Sequence, residues 1–237
     1  MRIIFLNCYS GQILKPLLDF ITEQSLVTDI FCFSEVSVDL QKKFSEVLTN
    51  FSTVFEIGGL ITDSGKLSGQ STFAKKGLEI LSFKKIIIHK IQTDDVGFLL
   101  KTTLNINGKL VSIENIHGTK TPTDKKDFDT RLKQSETIIE SFKEDKNKII
   151  IGDFNLLRNT KSIQMIENAG YRNLIKDFGV KATRNQVAWN RFENEPGYVK
   201  QYDSDYCFVL PNVKIKSFEV PYMEISDHLP LILDFEI

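Results

Sequence analysis

Seven residues that could do chemistry share one context. Asn7, Glu35, His117, Asp153, Asn155, Asp227 and His228 all stand close to the point where an apolar, strand-like run stops or starts. "KIIIGDFNLL" runs from three isoleucines into Gly152, Asp153, Phe154 and Asn155, and "DIFCFSE" ends in Glu35. "RIIFLN" ends in Asn7, "SIENIH" ends in His117, and "EISDHLPLILDF" sets Asp227 and His228 directly before another run. Charges buried there without partners would be prohibitively costly, so these groups must face solvent, pair, or bind a metal. Taken singly, Asp153, Asn155 and Asn7 are ordinary turn formers and Asp227 an ordinary cap. Together, the carboxylates, amides and imidazoles offer oxygen ligands for a hard divalent cation, donors for phosphoryl oxygens and a base for water. His89, inside "IIIHKI", reads instead as a structural histidine.

The elements that must position these groups are strands. Ten strand-like runs recur along the chain, from "RIIFLNC" to "LPLILDFE", and their number points to more than one sheet. Helices fit residues 14 to 25 and 160 to 169; Leu40, Phe44, Leu48 and Phe51 share one helical face, as do Leu132, Ile138, Ile139 and Phe142. The turn "NING" at 105 to 108 joins two alternating strands, so part of the sheet structure is antiparallel. Residues 62 to 71, 118 to 127 and 184 to 202 read as long loops, and the functional surface is expected where they gather. No linker or repeat marks a boundary, so residues 1–237 are expected to form one domain.

Composition narrows the partners. Thirty Lys and Arg against 31 Asp and Glu give a net charge of -1, which argues against a broadly basic nucleic-acid glove. The pairs Lys75-Lys76, Lys84-Lys85 and Lys125-Lys126 read mostly as solvated faces. Nothing approaches the roughly 18 apolar residues of a membrane span. Cys8, Cys32 and Cys207 lie in apolar runs without metal or redox spacing and read as buried hydrophobes. A cytoplasmic monomer is the expectation.

The order of the motifs resembles the endonuclease/exonuclease/phosphatase superfamily, with its deoxyribonuclease-I-like fold, over essentially the whole chain. "LN" at 6 to 7, "SE" at 34 to 35, "NIHG" at 115 to 118, "GDFN" at 152 to 155, "SDY" at 204 to 206 and "SDHLP" at 226 to 230 carry it. The resemblance implies an α/β (α+β) four-layer α/β/β/α sandwich: two packed mixed β-sheets flanked by helices, with the site at their loops. It also implies Mg2+ or Mn2+ as cofactor and hydrolysis of a phosphate ester. Glu35 would then be the principal metal ligand, with Asn7 beside it and Asp227 binding directly or through water. Asp153 would act on the attacking water or the leaving oxygen, and Asn155 would position the phosphate. His228 would contact the phosphate or act as base, with Asp205 fixing its tautomer, and His117 would donate to the phosphoryl oxygens. Which of these groups is base and which acid stays open, as does one metal ion against two.

Departures from the pattern bear on substrate. Ser34 stands where many relatives carry Gln, and the loop after His117 lacks the Tyr-Val-Pro-Asn pattern of abasic-site endonucleases. Arg131 opens a helix from which it could reach a phosphate, and Thr183 and Arg184 lie on a loop near the site in family topology. Lys120 and Lys125 are further candidate donors, while Trp189 reads as ordinary core packing. DNA or a nucleotide-like phosphodiester is the expected substrate, by family frequency alone. A small-molecule phosphatase or a lipid phosphodiesterase of the same fold is the alternative. A catalytically silent interaction domain would be expected to have lost Glu35, His117, Asp153 or His228, and all four are present.

Overall fold

Apolar residues alternating in β-prone runs set the architecture. The computed structural model describes residues 1–61, 67–90, 96–141 and 145–237. The side chains of His89 and Phe142, and residues 62–66 of the first expected loop, lie outside that description.

In chain order the strands are β1 (Arg2–Asn7), β2 (Ile30–Val36), β3 (Phe51–Ile61), β4 (Leu67–Lys75), β5 (Glu79–Lys90) and β6 (Val96–Ile106). They continue with β7 (Lys109–His117), β8 (Lys148–Asp153), β9 (Arg172–Asn173), β10 (Asp205–Val209), β11 (Lys214–Glu219) and β12 (Leu231–Glu236). Among the described residues these form two six-stranded sheets, in the orders β11-β12-β1-β2-β4-β3 and β5-β6-β7-β8-β10-β9. Each is mixed. β1 runs parallel to β2, and β7 parallel to β8, while the other pairings are antiparallel. Helices α1 (Leu14–Gln24) and α2 (Val38–Val47) join strands of the first sheet. The second sheet and its connections carry α3 (Asp129–Glu140), α4 (Lys161–Asn168), α5 (Leu174–Asp177) and α6 (Gln186–Phe192).

The period of two sorts the core into layers. On β1, Ile3 and Phe5 join the cluster shared with Ile113, Ile149 and Ile151 of the second sheet. Ile4 and Leu6 instead pack with Leu17, Phe20 and Ile21 of α1 and Leu40 and Phe44 of α2. On the far side of the second sheet, Ile138 of α3 and Ile163 and Ile166 of α4 close the stack. The result is the expected sandwich, two mixed sheets face to face with helices outside. No helix among the described residues is long and apolar enough to cross a membrane.

Several expectations shift in detail. The face shared by Leu40 and Phe44 is helical, but α2 ends at Val47 and Phe51 opens β3 instead. Residues 67–71 are strand, and α6 occupies part of the expected loop 184 to 202, its first turn capped by Asn185 accepting from Ala188 N. The edge strand β11 was not expected: its lysines leave little apolar contrast to read. The "NING" hairpin is as anticipated, with Asn107 and Gly108 both at positive φ (54° and 81°), as a type I′ turn requires. Cys8, Cys32 and Cys207 are buried and unbridged.

Gly152 answers to sterics. It pairs with Ile116 on β7, and a Cβ there would lie 2.3 Å from the Ile116 carbonyl oxygen. The parallel β7–β8 contact therefore closes only on glycine. Gly152→Ala is expected to cost about 2 kcal/mol or more in urea denaturation, because backbone rather than a flexible side chain must move. A stability equal to the parent's would contradict this packing.

Candidate active site

The polar residues at the strand ends continue the core-facing stripes by one step. Ile3 and Phe5 lead to Asn7, Ile113 and Asn115 to His117, Ile149 and Ile151 to Asp153, and Val209 and Cys207 to Asp205. Where the inter-sheet layer reaches its mouth, side chains that would be apolar farther in become polar. Asn115, one step inside, already ties the sheets together: its Nδ2 donates to the carbonyls of Phe33 (2.8 Å) and Ser71 (3.1 Å). At the mouth, Asn7 Nδ2 lies 3.2 Å from Glu35 Oε1 and 3.0 Å from Asp153 Oδ2, a donor shared between a carboxylate of each sheet.

Asp153 is 2% exposed and sits directly opposite Asp205 in the β8–β10 register. Two buried carboxylates face to face need positive charge. His228, from the segment before β12, supplies it. Its Nδ1 donates to both Asp205 oxygens (2.8 and 2.9 Å), and its Nε2 lies 3.7 Å from Asp153 Oδ2. Burial alone would lower the His228 pKa, but the carboxylates around it, Asp205 foremost with Asp227 and Asp153, together outweigh it and move the ring toward its cationic form. For Asp205 burial wins and the pKa is raised despite His228. Burial also pushes Asp153 upward, yet His228, Lys125, His117 and the Ser204 hydroxyl together hold it well below the usual carboxylate range.

Glu35 is turned out by a defect in its strand. Ser34 pairs with Gln70 and Val36 with Gly69, so Glu35 is the extra residue of a bulge, held at φ +56°. Its carboxylate accepts from Ser10 Oγ as well as Asn7, and its side chain is 27% exposed, more open than the other acids of the cluster. Among the described residues Ser34 Oγ has no hydrogen-bond partner. His117 Nε2 lies 3.8 Å from Glu35 Oε1 and 3.9 Å from Asp153 Oδ2. Asn155, at φ +53°, donates its backbone N–H to Asp153 Oδ1 (2.9 Å) and its Nδ2 to Gly118 O (3.2 Å), locking the turn after β8.

Other expected site residues sit elsewhere or act differently. Arg131 does not line the opening. It is fully buried, with its guanidinium on the carbonyls of Lys126 (2.6 Å), Pro122 and Thr119 (3.5 Å), and it clasps the loop after His117. Thr183 is also fully buried, its Oγ1 accepting from the N–H groups of Ser204 and Asp205 (both 3.1 Å), so it shapes the start of β10 and does not face a substrate. Arg184 does line the opening, where its Nη2 lies 3.0 Å from Asp227 Oδ2. The same oxygen accepts from Arg191 at 3.2 Å, so Asp227, expected at a metal, is engaged by two guanidinium groups. Trp189 is not core packing. It lines the cleft, with Nε1 on Gln201 O (2.8 Å) and Lys200 Nζ 3.6 Å above its ring. Lys125, half of a supposedly solvated pair, is buried. Ser204, the first residue of "SDY", has no role assigned from sequence, and Tyr9 and Arg191 have only their closeness to Asn7 and to Trp189 as a signal.

A hard cation needs oxygen ligands that are not already committed elsewhere. One oxygen or nitrogen from each of Asp153, Asp205 and His228 lies within 4.8 Å of the others, but His228 and Asp205 are committed to one another by hydrogen bonds. Glu35, partly open and beside an amide, offers the oxygen chemistry that Mg2+ or Mn2+ takes.

No protein-family model and no curated protein matches the sequence. Solved structures do match. An endonuclease/exonuclease/phosphatase from Bacteroides vulgatus superposes with a TM-score of 0.76 at 18% identity, covering 100% of this chain and 98% of that one. The mannosyl-6-phosphatase Bt3783 of Bacteroides thetaiotaomicron gives 0.74 at 14% identity, with both chains covered fully. D. rerio TDP2 complexed with single strand DNA product gives 0.75 at 17% identity, covering 100% and 99%. The chain thus has the deoxyribonuclease-I-like fold of the endonuclease/exonuclease/phosphatase superfamily.

The His228–Asp205 pair makes a direct prediction. In NMR titration His228 should have a midpoint above the 6.5 of an ordinary imidazole. In Asp205→Asn it should fall below the parent's value, because the strongest of the carboxylates that oppose burial and Arg184 is then gone. An unchanged midpoint would show that Asp205 does not set the charge of the ring.

Proposed function

We propose that this protein is a divalent-metal-dependent hydrolase of phosphate esters. One observation carries the reading: Asp153 Oδ2 lies 3.0 Å from the Asn7 amide and 3.7 and 3.9 Å from the Nε2 atoms of His228 and His117, all at one cleft. This is a carboxylate for water beside donors for phosphoryl oxygens, in a pocket whose walls are fixed by two sheets. Asp153, held ionised, orients the attacking water. His228, moved toward its cationic form, donates from Nε2 to a phosphoryl oxygen, and His117 offers a second donor. Asn155 fixes the Asp153 oxygen that faces away from the reaction. Glu35, steadied by the Asn7 amide, would hold Mg2+ or Mn2+, which when bound supplies charge neutralisation at the phosphate. Asp227 anchors Arg184 and Arg191 as a cationic rim.

Cleft size bears on the substrate. The cavity measures about 310 Å³, at the lower end of the roughly 300–1,000 Å³ that small-molecule sites occupy. Helix α6 forms one wall with Trp189, Arg191 and Phe192, and Arg191 packs over Tyr9 with 4.6 Å from guanidinium carbon to ring centroid. These walls favour a small phosphorylated molecule or the end of a single strand over the interior of a duplex.

A panel of aryl phosphomonoester and phosphodiester, sugar phosphate, nucleoside monophosphate, single-stranded DNA and nicked duplex, assayed with Mg2+, tests the reading. Small esters or strand ends should be hydrolysed, EDTA should abolish turnover, and Mg2+ or Mn2+ should restore it. Glu35→Gln and Asp153→Asn should each lower kcat by about 10²-fold or more. Full turnover in EDTA, or inertness toward the whole panel, would refute the assignment.

A further inference from the structure

A lysine with little local reason to be buried sits behind the proposed water-side carboxylate. Lys125 is 5% exposed. Its Nζ donates to Ser204 Oγ at 2.7 Å, and Ser204 Oγ in turn donates to Asp153 Oδ1 at 2.6 Å. The direction of this chain is fixed, since an ammonium can only donate. Ser204 must therefore accept from the lysine and spend its single proton on Asp153. Oδ1, which also accepts from Asn155 N, is saturated from behind, and Oδ2 is left toward Asn7, His117 and His228.

The backbone bears a second cost to hold this arrangement. Lys125 lies at φ +56°, the left-handed region that disfavours a long side chain. Its carbonyl is held by Leu157 N (3.0 Å), and the following carbonyl, of Lys126, by Arg131 (2.6 Å). The buried guanidinium of Arg131 thus clasps the loop that delivers Lys125. An apolar side chain would fill this position without the penalty of burying an ammonium beside a hydroxyl.

We propose that Lys125 is a positioning residue for the hydrolytic reaction: acting through Ser204, its ammonium fixes the orientation of Asp153, so that Oδ2 is the oxygen presented to the cleft. The proposal rests on Asp153 being the water-side carboxylate. Electrostatics agree with the geometry. Burial, reinforced by Arg184, lowers the Lys125 pKa to about 7, whereas Asp153, Asp205 and Asp227 raise it, so lysine and carboxylate sustain one another's charge.

Lys125→Met and Ser204→Ala should each reduce kcat by about tenfold to a hundredfold with KM within about twofold of the parent. Because both act on one oxygen, the double variant should be no slower than the worse single variant. Unchanged kcat in Lys125→Met, while Asp153→Asn is inactive, would overturn the proposal and leave the reading of the site intact. A loss carried by KM, or losses that add in the double variant, would also overturn it. Independently of turnover, 13Cε-lysine NMR of the full chain should show one lysine titrating near 7, as expected for Lys125, whose midpoint falls further in Asp153→Asn. An unmoved midpoint would sever Lys125 from Asp153 whatever the substrate, and this measurement decides the matter even if Lys125→Met does not fold.

Discussion

Asp153 and Asp205 lie directly across from each other on adjacent strands, both almost wholly out of water. Two carboxylates in that relation repel, and neither can be hydrated freely. The arrangement persists only because a ring, an amide, a hydroxyl and an ammonium converge on them. His228 sits between the pair, Asn7 reaches Asp153 from the other sheet, and Lys125 acts from behind through Ser204. Each compensating group comes from a different part of the chain, so one electrostatic demand dictates how the sheets and loops meet.

The sandwich meets that demand with its parallel pairs. β1 with β2 in one sheet and β7 with β8 in the other place Asn7, Glu35, His117 and Asp153 at like ends of their strands. Asn115 and Asn7 then bind sheet to sheet at successive depths, the first to backbone carbonyls and the second to carboxylates. Farther in, the same stripes are apolar. The change from apolar to polar along one stripe is what separates core from site.

That change is why much of the site was legible in the sequence. A strand of period two that ends in an acid, amide or imidazole declares both the face and the end on which the group will lie. Asn7, His117 and Asp153 can all be read that way, and the resemblance of motif order supplies Asp205 and the sandwich. Residues on loops gave no such signal. Arg131 and Thr183 looked available for substrate because sequence does not show that a guanidinium will be consumed by carbonyls, or a hydroxyl by two backbone N–H groups. Lys125 reads from the sequence either as half of a solvated pair or as a candidate phosphate donor, and only the clasped loop turns it inward. Trp189 reads as core from the general tendency of a large aromatic to pack, and α6, which carries it to the cleft instead, lies in a polar stretch with weak apolar periodicity.

The amide of Asn7 and the carboxylate it touches are 146 residues apart in the chain. A contact so distant in sequence forms only after much loop entropy has been lost, which places this topology among slow folders. Neither sheet alone contains the cluster. During refolding, the first appearance of a competent cleft would therefore mark the docking of one sheet on the other, long after hairpins such as β6–β7 have formed. The site is in this sense a clock for the last large step of assembly.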